Sequence, residues 1–99
     1  MPRTYWTYIL ASRRRRIEIG VTGDLLRCIR KRRARAHGAA AHRMTMLVYF
    51  ESAPSAREAI ARQRELAGWR REETVALIEA WNAQWLDLAA DRAGAAGTG

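Results

Sequence analysis

Arginine carries most of the chemistry this chain could perform: 17 arginines and one lysine stand against ten acidic side chains, for a formal net charge of +8. The excess is unevenly placed. Residues 1–36 hold ten arginines and Lys31 against Glu18 and Asp24, a net +9, while residues 51–99 hold six arginines against eight acids, a net −2. Two groups dominate: the run Arg13, Arg14, Arg15, Arg16, and the set Arg27, Arg30, Lys31, Arg32, Arg33 and Arg35. So many cations with few acids among them repel one another, and a polyanion most simply offsets that repulsion. Such contacts recognise phosphate without specifying sequence and weaken steeply with salt. The bland alternative is an arginine- and alanine-rich coding bias that leaves a solvated helix face and a charged loop.

Other reactive side chains are few. Cys28 is the sole cysteine, which excludes a disulfide within one chain and suits a reducing cytoplasm. As a nucleophile it would need a base and a lowered pKa; a small helix-filling side chain is its commoner role. His37 and His42, five apart with no acid nearby, lack metal-ligand spacing and read as loop residues. Trp69, Trp81 and Trp85 read as packing residues, whereas Trp6, beside the basic segment, could stack a base. No apolar stretch approaches the ~20 residues of a membrane span. The apolar N-terminal stretch precedes four arginines, the reverse of a signal peptide's charge order, so a cytoplasmic protein without a membrane partner is expected.

The elements that must position these residues follow from local pattern. Thr4 to Ala11, rich in aromatic and β-branched residues, predicts a strand, and Ile17 to Val21 a second, joined by the charged loop Ser12–Arg16. Asp24 caps a helix that starts at Leu25 and turns Leu25, Leu26 and Ile29 inward. Residues 36–43 predict a loop, and Met44 to Phe50 a third strand. Ser55 and Glu58 form a capping box for a helix with Ala56, Ala59, Ile60, Gln63, Leu66 and Ala67 on one face, broken by Gly68. A third helix is expected from Glu72 to about Ala80 with Val75, Ile78 and Trp81 inward, followed by Trp85 and Leu88 as further apolar cover. The expected fold is α+β, a three-stranded antiparallel sheet flanked by helices in the order β-β-α-β-α-α. Residues 1–92 form one domain and 93–99 a flexible tail.

Within that order, Trp6-Thr7-Tyr8-Ile9-Leu10, then Glu18-Ile19-Gly20-Val21-Thr22 with Asp24-Leu25, then Leu47-Val48-Tyr49-Phe50-Glu51 recur at telling intervals. Ala59-Ile60-Ala61-Arg62, Trp69-Arg70-Arg71, Ala76-Leu77-Ile78-Glu79, Asn82, Trp85, Asp87 and Leu88 complete the pattern. Together they resemble the small single-domain bacterial branch of the GIY-YIG nuclease superfamily over roughly residues 4 to 90. The resemblance implies phosphodiester hydrolysis with one divalent metal ion, Mg or Mn. It places the first-motif tyrosine at Tyr8, the second-motif tyrosine at Glu18, the helix arginine at Cys28, a frequent histidine at Arg32 and the metal-binding glutamate at Gln63. Of these positions only Tyr8 keeps the implied chemistry, and the loop between the first strands lacks its usual glycine.

A carboxylate-to-amide change at Gln63 removes the hard anionic oxygen a metal needs, and its helical neighbours Ala59, Ile60, Leu66 and Ala67 supply none. Arg32, one turn beyond Cys28, could lay its guanidinium over the vacated arginine position. The leading expectation is therefore a catalytically degenerate DNA-binding protein of this fold that grips DNA, branched or nicked forms included, and carries no metal or other cofactor. Its phosphate contacts would be Arg13, Arg14, Arg15, Arg16, Arg27, Arg30, Lys31 and Arg33. Two alternatives stand beside it: a divergent metal-dependent endonuclease that uses Tyr8, Glu18 and Arg32 in a rearranged site, and a protein-interaction module.

Overall fold

The computed structural model of the chain describes residues 4–35 and 44–89. The loop expected at 36–43, with His37 and His42, and the tail expected at 93–99 lie outside the described residues. Strand β1 (Tyr5–Ala11) runs between β2 (Ile17–Thr22) and β3 (Met46–Ala53), antiparallel to both. Helix α1 (Leu25–Arg35) follows β2, and α2 (Ala56–Ala67) and α3 (Arg71–Trp81) follow β3. The order β-β-α-β-α-α and the three-stranded antiparallel sheet are as the sequence predicts.

The middle strand divides the protein into two half-cores. Its side chains alternate, so Tyr8 and Leu10 pack with Ile29 of α1, Leu47 and Ala89 on one face. Ile9 and Ala11 pack with Val48, Tyr49, Ile78 and Trp85 on the other, where α2 and α3 lie. Because both faces of β1 are covered, its last five residues are all buried. Thr7, which also faces α2, spends its hydroxyl on the carbonyl of Ala59, 2.9 Å away.

Short-range chemistry sets the connections. The four-arginine loop is a tight turn: Arg15 N–H donates to the Ser12 carbonyl (2.9 Å), and Ser12 N–H donates to that of Arg16 (3.0 Å). Arg15 takes a left-handed backbone with φ 62°, the conformation that glycine tolerates best. That conformation costs a non-glycine residue about 1–2 kcal/mol. The guanidinium of Arg15, 4.9 Å from the centre of the Trp85 ring and 3.8 Å from Glu79, offsets part of it. Asp24 caps α1 by accepting from Arg27 N–H at 3.2 Å, and Ser55 caps α2 by accepting from Glu58 N–H at 3.2 Å.

Three expectations need correction. The third strand begins at Met46 and runs on to Ala53, not from Met44 to Phe50, because β1 offers partners as far as Tyr5, which sits opposite Ala53. On α2, Ala59 and Leu66 are buried but Ile60 and Ala67 are exposed, since the inward stripe is narrower than its apolar residues suggest. Trp81, expected inward, is 80% exposed. The reason is that α3 ends there: Asn82 donates to the carbonyls of Val48 (3.1 Å) and Leu86 (2.8 Å) and accepts from Leu86 N–H. This folds the chain back so that Trp85, not Trp81, enters the core.

Beyond that turn, Asp87 fastens the end of the described chain to the sheet. Its carboxylate accepts from Leu47 N–H and Ala89 N–H, each at 3.1 Å, and pairs with Arg33 of α1, while Leu88 N–H donates to the Leu47 carbonyl at 2.7 Å. Three separated segments thus meet on one side chain. Replacing it should be costly: Asp87→Ala is expected to destabilise the fold by about 2–3 kcal/mol in urea denaturation, and Arg33→Ala by less, because the two backbone donors keep their acceptor.

Candidate functional site

The pleat of β1 and β2 decides which candidate residues meet. Trp6, Tyr8 and Leu10 pair across to Thr22, Gly20 and Glu18, so Glu18 shares Tyr8's face of the sheet, the face that α1 covers. On α1, Cys28 and Arg32 are one turn apart and project to the same side. The Cys28 thiol approaches the Tyr8 hydroxyl at 3.4 Å, and Arg32 Nη1 lies 2.5 Å from Glu18 Oε2. Four of the five positions that the sequence singles out, Tyr8, Glu18, Cys28 and Arg32, therefore form one cluster at the edge of the sheet.

Gly20 makes this packing possible. A Cβ there would stand 2.3 Å from the Tyr8 hydroxyl and 2.4 Å from Cζ, far inside contact distance. The phenol ring lies across the strand where a side chain would be, which leaves Tyr8 only 5% exposed. Burial, with the Cys28 thiol second, pushes its pKa well above the ordinary tyrosine range. The sequence allows a hydroxyl at the rim of the sheet; the structure instead gives a covered, protonated phenol.

Arg32 does not lie idle over the position of Cys28. Its guanidinium is drawn to Glu18, and holds that carboxyl below the ordinary glutamate value of 4.5, with burial opposing. Glu18 in turn raises Arg32. Gln63 reaches the same strand from α2: its amide Nε2 donates to the Ile19 carbonyl at 3.1 Å. A carboxylate could not make that bond, because an ionised glutamate only accepts.

A divalent metal wants hard anionic oxygens. At this cluster Glu18 is engaged by Arg32 and Tyr8 keeps its proton, while Gln63, outside the cluster, offers only a neutral amide turned toward the backbone. Among the described residues no three His, Cys, Asp or Glu side chains come together. The residues present do not fit a metal ion.

The arginines divide into two kinds, those held by neighbours and those left to solvent. Arg15 stacks on Trp85, Arg32 pairs with Glu18, and Arg33 pairs with Asp87 and donates to the Thr45 carbonyl. Arg13, Arg14, Arg16, Arg27, Arg30, Lys31 and Arg35 are exposed, with no acidic partner among the described residues. The pairing of Ala11 with Met46, of Leu10 with Glu18, and of Arg33 with Thr45 brings the arginine turn and the C-terminal half of α1 to the same end of the sheet.

The fold is shared with a solved protein. The solution NMR structure of the UPF0213 protein BH0048 from Bacillus halodurans matches with a TM-score of 0.55 at 22% identity, over 88% of this chain and 95% of that one. That likeness concerns the architecture. No family model and no curated protein matches the sequence. No described helix is long and apolar enough to cross a membrane.

No sequence motif marks a hollow of about 610 Å³ on the far side of β2. It is lined by Ile17, Ile19, Gln63, Arg64, Trp69 and Arg71 among others. Arg64 and Arg71 are not among the expected phosphate contacts, because the surrounding half of the chain is net acidic. The only signal was the closeness of Arg64, Trp69 and Arg71 across the Gly68 break.

Two outcomes test this geometry. Gly20→Ala should destabilise by about 1–3 kcal/mol through overpacking. The loss should persist in a Tyr8→Phe background, where Cζ remains, and shrink in Tyr8→Leu, where the ring is gone. The Glu18–Arg32 pair is more than a third exposed on both sides, at 41% and 36%, so it contributes only about 0.2–1 kcal/mol. Since folding lowers the Glu18 pKa, that contribution is present above 4.5 and is lost as pH falls through the folded-state value. The stability difference between the parent and Glu18→Gln should therefore narrow below about pH 4.5 in denaturation curves measured across an acid series.

Proposed function

We propose that this chain is a nucleic-acid-binding domain of the GIY-YIG nuclease fold whose hydrolytic site is degenerate: it binds DNA through its basic N-terminal half and lacks the means to cut it by the family's chemistry. The observation that carries the reading is the fate of the carboxylates. The one acid at the cluster, Glu18, is neutralised by Arg32, and the position of the family's metal-binding glutamate is an amide already donating to the Ile19 carbonyl. General acid–base help from a tyrosine is typically worth ~10²–10⁴-fold, and a buried phenol held above its ordinary pKa is a poor proton acceptor at neutral pH.

Binding needs less. Seven exposed cations without acidic partners among the described residues crowd the arginine turn and α1, and their mutual repulsion falls when phosphates lie between them. Their geometry supports contact with a backbone and offers no array of side chains for reading bases. The cellular setting in keeping with this reading is the cytoplasm, with a lone free thiol at Cys28.

Filter binding over a salt series tests the first half. Affinity for duplex, nicked and branched DNA should fall steeply and log-linearly with salt, and Arg13→Gln with Arg14→Gln and Arg30→Gln should reduce the slope by about one for each phosphate no longer neutralised. Binding that is absent, or indifferent to salt, would sink the nucleic-acid reading. Incubation with supercoiled and branched DNA in Mg or Mn tests the second half and should leave the DNA intact. Cleavage abolished by Tyr8→Phe and by Glu18→Gln would instead establish a rearranged endonuclease.

A further inference from the structure

The hollow on the far side of β2 has a composition unlike the rest of the surface. Its floor is apolar, formed by Ile17 and Ile19 of the edge strand with Leu66 and Ala67 of α2. Gln63, Arg64, Trp69, Arg71 and Thr74 line the rest, and no Asp or Glu is among the lining residues. Neither Arg64 nor Arg71 has an ion-pair partner among the described residues. An aromatic plane beside two unpaired cations over an apolar floor suits a ligand that is flat at one end and anionic at the other.

Two fixed contacts make the cleft a standing feature. Arg62 lies over Trp69, 5.2 Å from the ring centre, and is itself held by Glu51 at 2.7 Å and Glu65 at 3.0 Å, which steadies the indole. Arg71 donates to the Arg15 carbonyl at 2.8 Å, tying the wall to the arginine turn. Ile17 on the floor directly follows Arg16. The cleft therefore lies beside the turn that carries the exposed cations Arg13, Arg14 and Arg16.

We propose that this cleft binds one unpaired nucleotide, with its base against Trp69 and its phosphate between Arg64 and Arg71. The inference rests on the nucleic-acid reading above and adds a preference to it: strands with an unpaired nucleotide are favoured over intact duplex, whose bases are stacked and cannot enter. Every base has a flat face, so stacking on an aromatic side chain holds a base without regard to sequence. Trp69 is thus more than the packing residue its sequence context suggests.

The test is fluorescence anisotropy with the full chain, using a labelled single-stranded thymidine oligonucleotide and a duplex of equal length. Arg64→Gln, which leaves the bond from Arg71 to the Arg15 carbonyl in place, should weaken single-strand binding about fivefold while leaving duplex binding within about twofold, since only the unpaired strand reaches the cleft. Arg13→Gln with Arg14→Gln should weaken both. Trp69→Phe, which keeps an aromatic plane, should retain most of the single-strand preference. In parallel, the Trp69 indole N–H resonance is followed on adding the oligonucleotide or thymidine monophosphate. A shift with both supports a site for any nucleotide, and a shift with the oligonucleotide alone supports one within a strand. No shift with either, or equal weakening on strand and duplex, overturns the cleft while leaving duplex binding to stand. Absence of all binding overturns the nucleic-acid reading itself.

Discussion

Everything in this fold depends on β1 being paired along both edges. A strand so placed spends its backbone hydrogen bonds on its two neighbours, and its pleat then assigns each side chain to one of two half-cores. Five consecutive buried residues, Thr7 to Ala11, follow from that position. The same alternation sends Tyr8 and Leu10 to α1 and Ile9 and Ala11 to α2 and α3. A slip of one residue would exchange the two sets and put Tyr8 where α2 docks. The missing side chain at Gly20 fixes the register further, because only there can the Tyr8 ring lie flat across β2.

From this constraint the electrostatic arrangement follows. The register sets Glu18 on the α1 face, and helical spacing sets Arg32 within its reach. Each of the two therefore meets an opposite charge within the cluster. The buried phenol keeps its proton, the carboxylate is matched, and the thiol points to a hydroxyl. Positive charge that finds a partner goes into architecture: Arg15 braces a strained turn, and Arg33 anchors Asp87. The remaining cations of the turn and α1 stay at the surface, where no described acid pairs with them.

How much of this was legible in the sequence divides along the range of the interactions. Alternation and capping are local, so the order of elements, the start of α1 at Asp24 and the cap at Ser55 could be read directly. The juxtaposition of Tyr8, Glu18, Cys28 and Arg32 was legible only through the resemblance, since nothing within a short window shows that residues so far apart along the chain will meet. What was illegible depends on long-range or backbone-specific bonds. Helical spacing points Trp81 inward, but Asn82 forms its hydrogen bonds to Val48 and Leu86 and ends the helix, and Trp85 takes the place in the core. The tie between Arg33 and Asp87 joins residues 54 apart, so no short stretch of sequence shows that Arg33 has an acidic partner. The end of β3 depended on how far β1 could pair, which its own sequence does not state.

Gripping a polyanion and cutting it place different demands on a protein. Attraction to phosphate is summed over many exposed cations, each replaceable and each tolerant of small displacements. Hydrolysis by a metal depends on one anionic oxygen at one point, and an amide of identical shape removes it. The amide at Gln63 has a structural task, since its N–H donates to the Ile19 carbonyl on the edge strand. An unpaired carbonyl on an edge strand is a site for unwanted strand pairing, so this bond also covers part of an edge. Gln63 thus gives β2 a bond that a glutamate could not make.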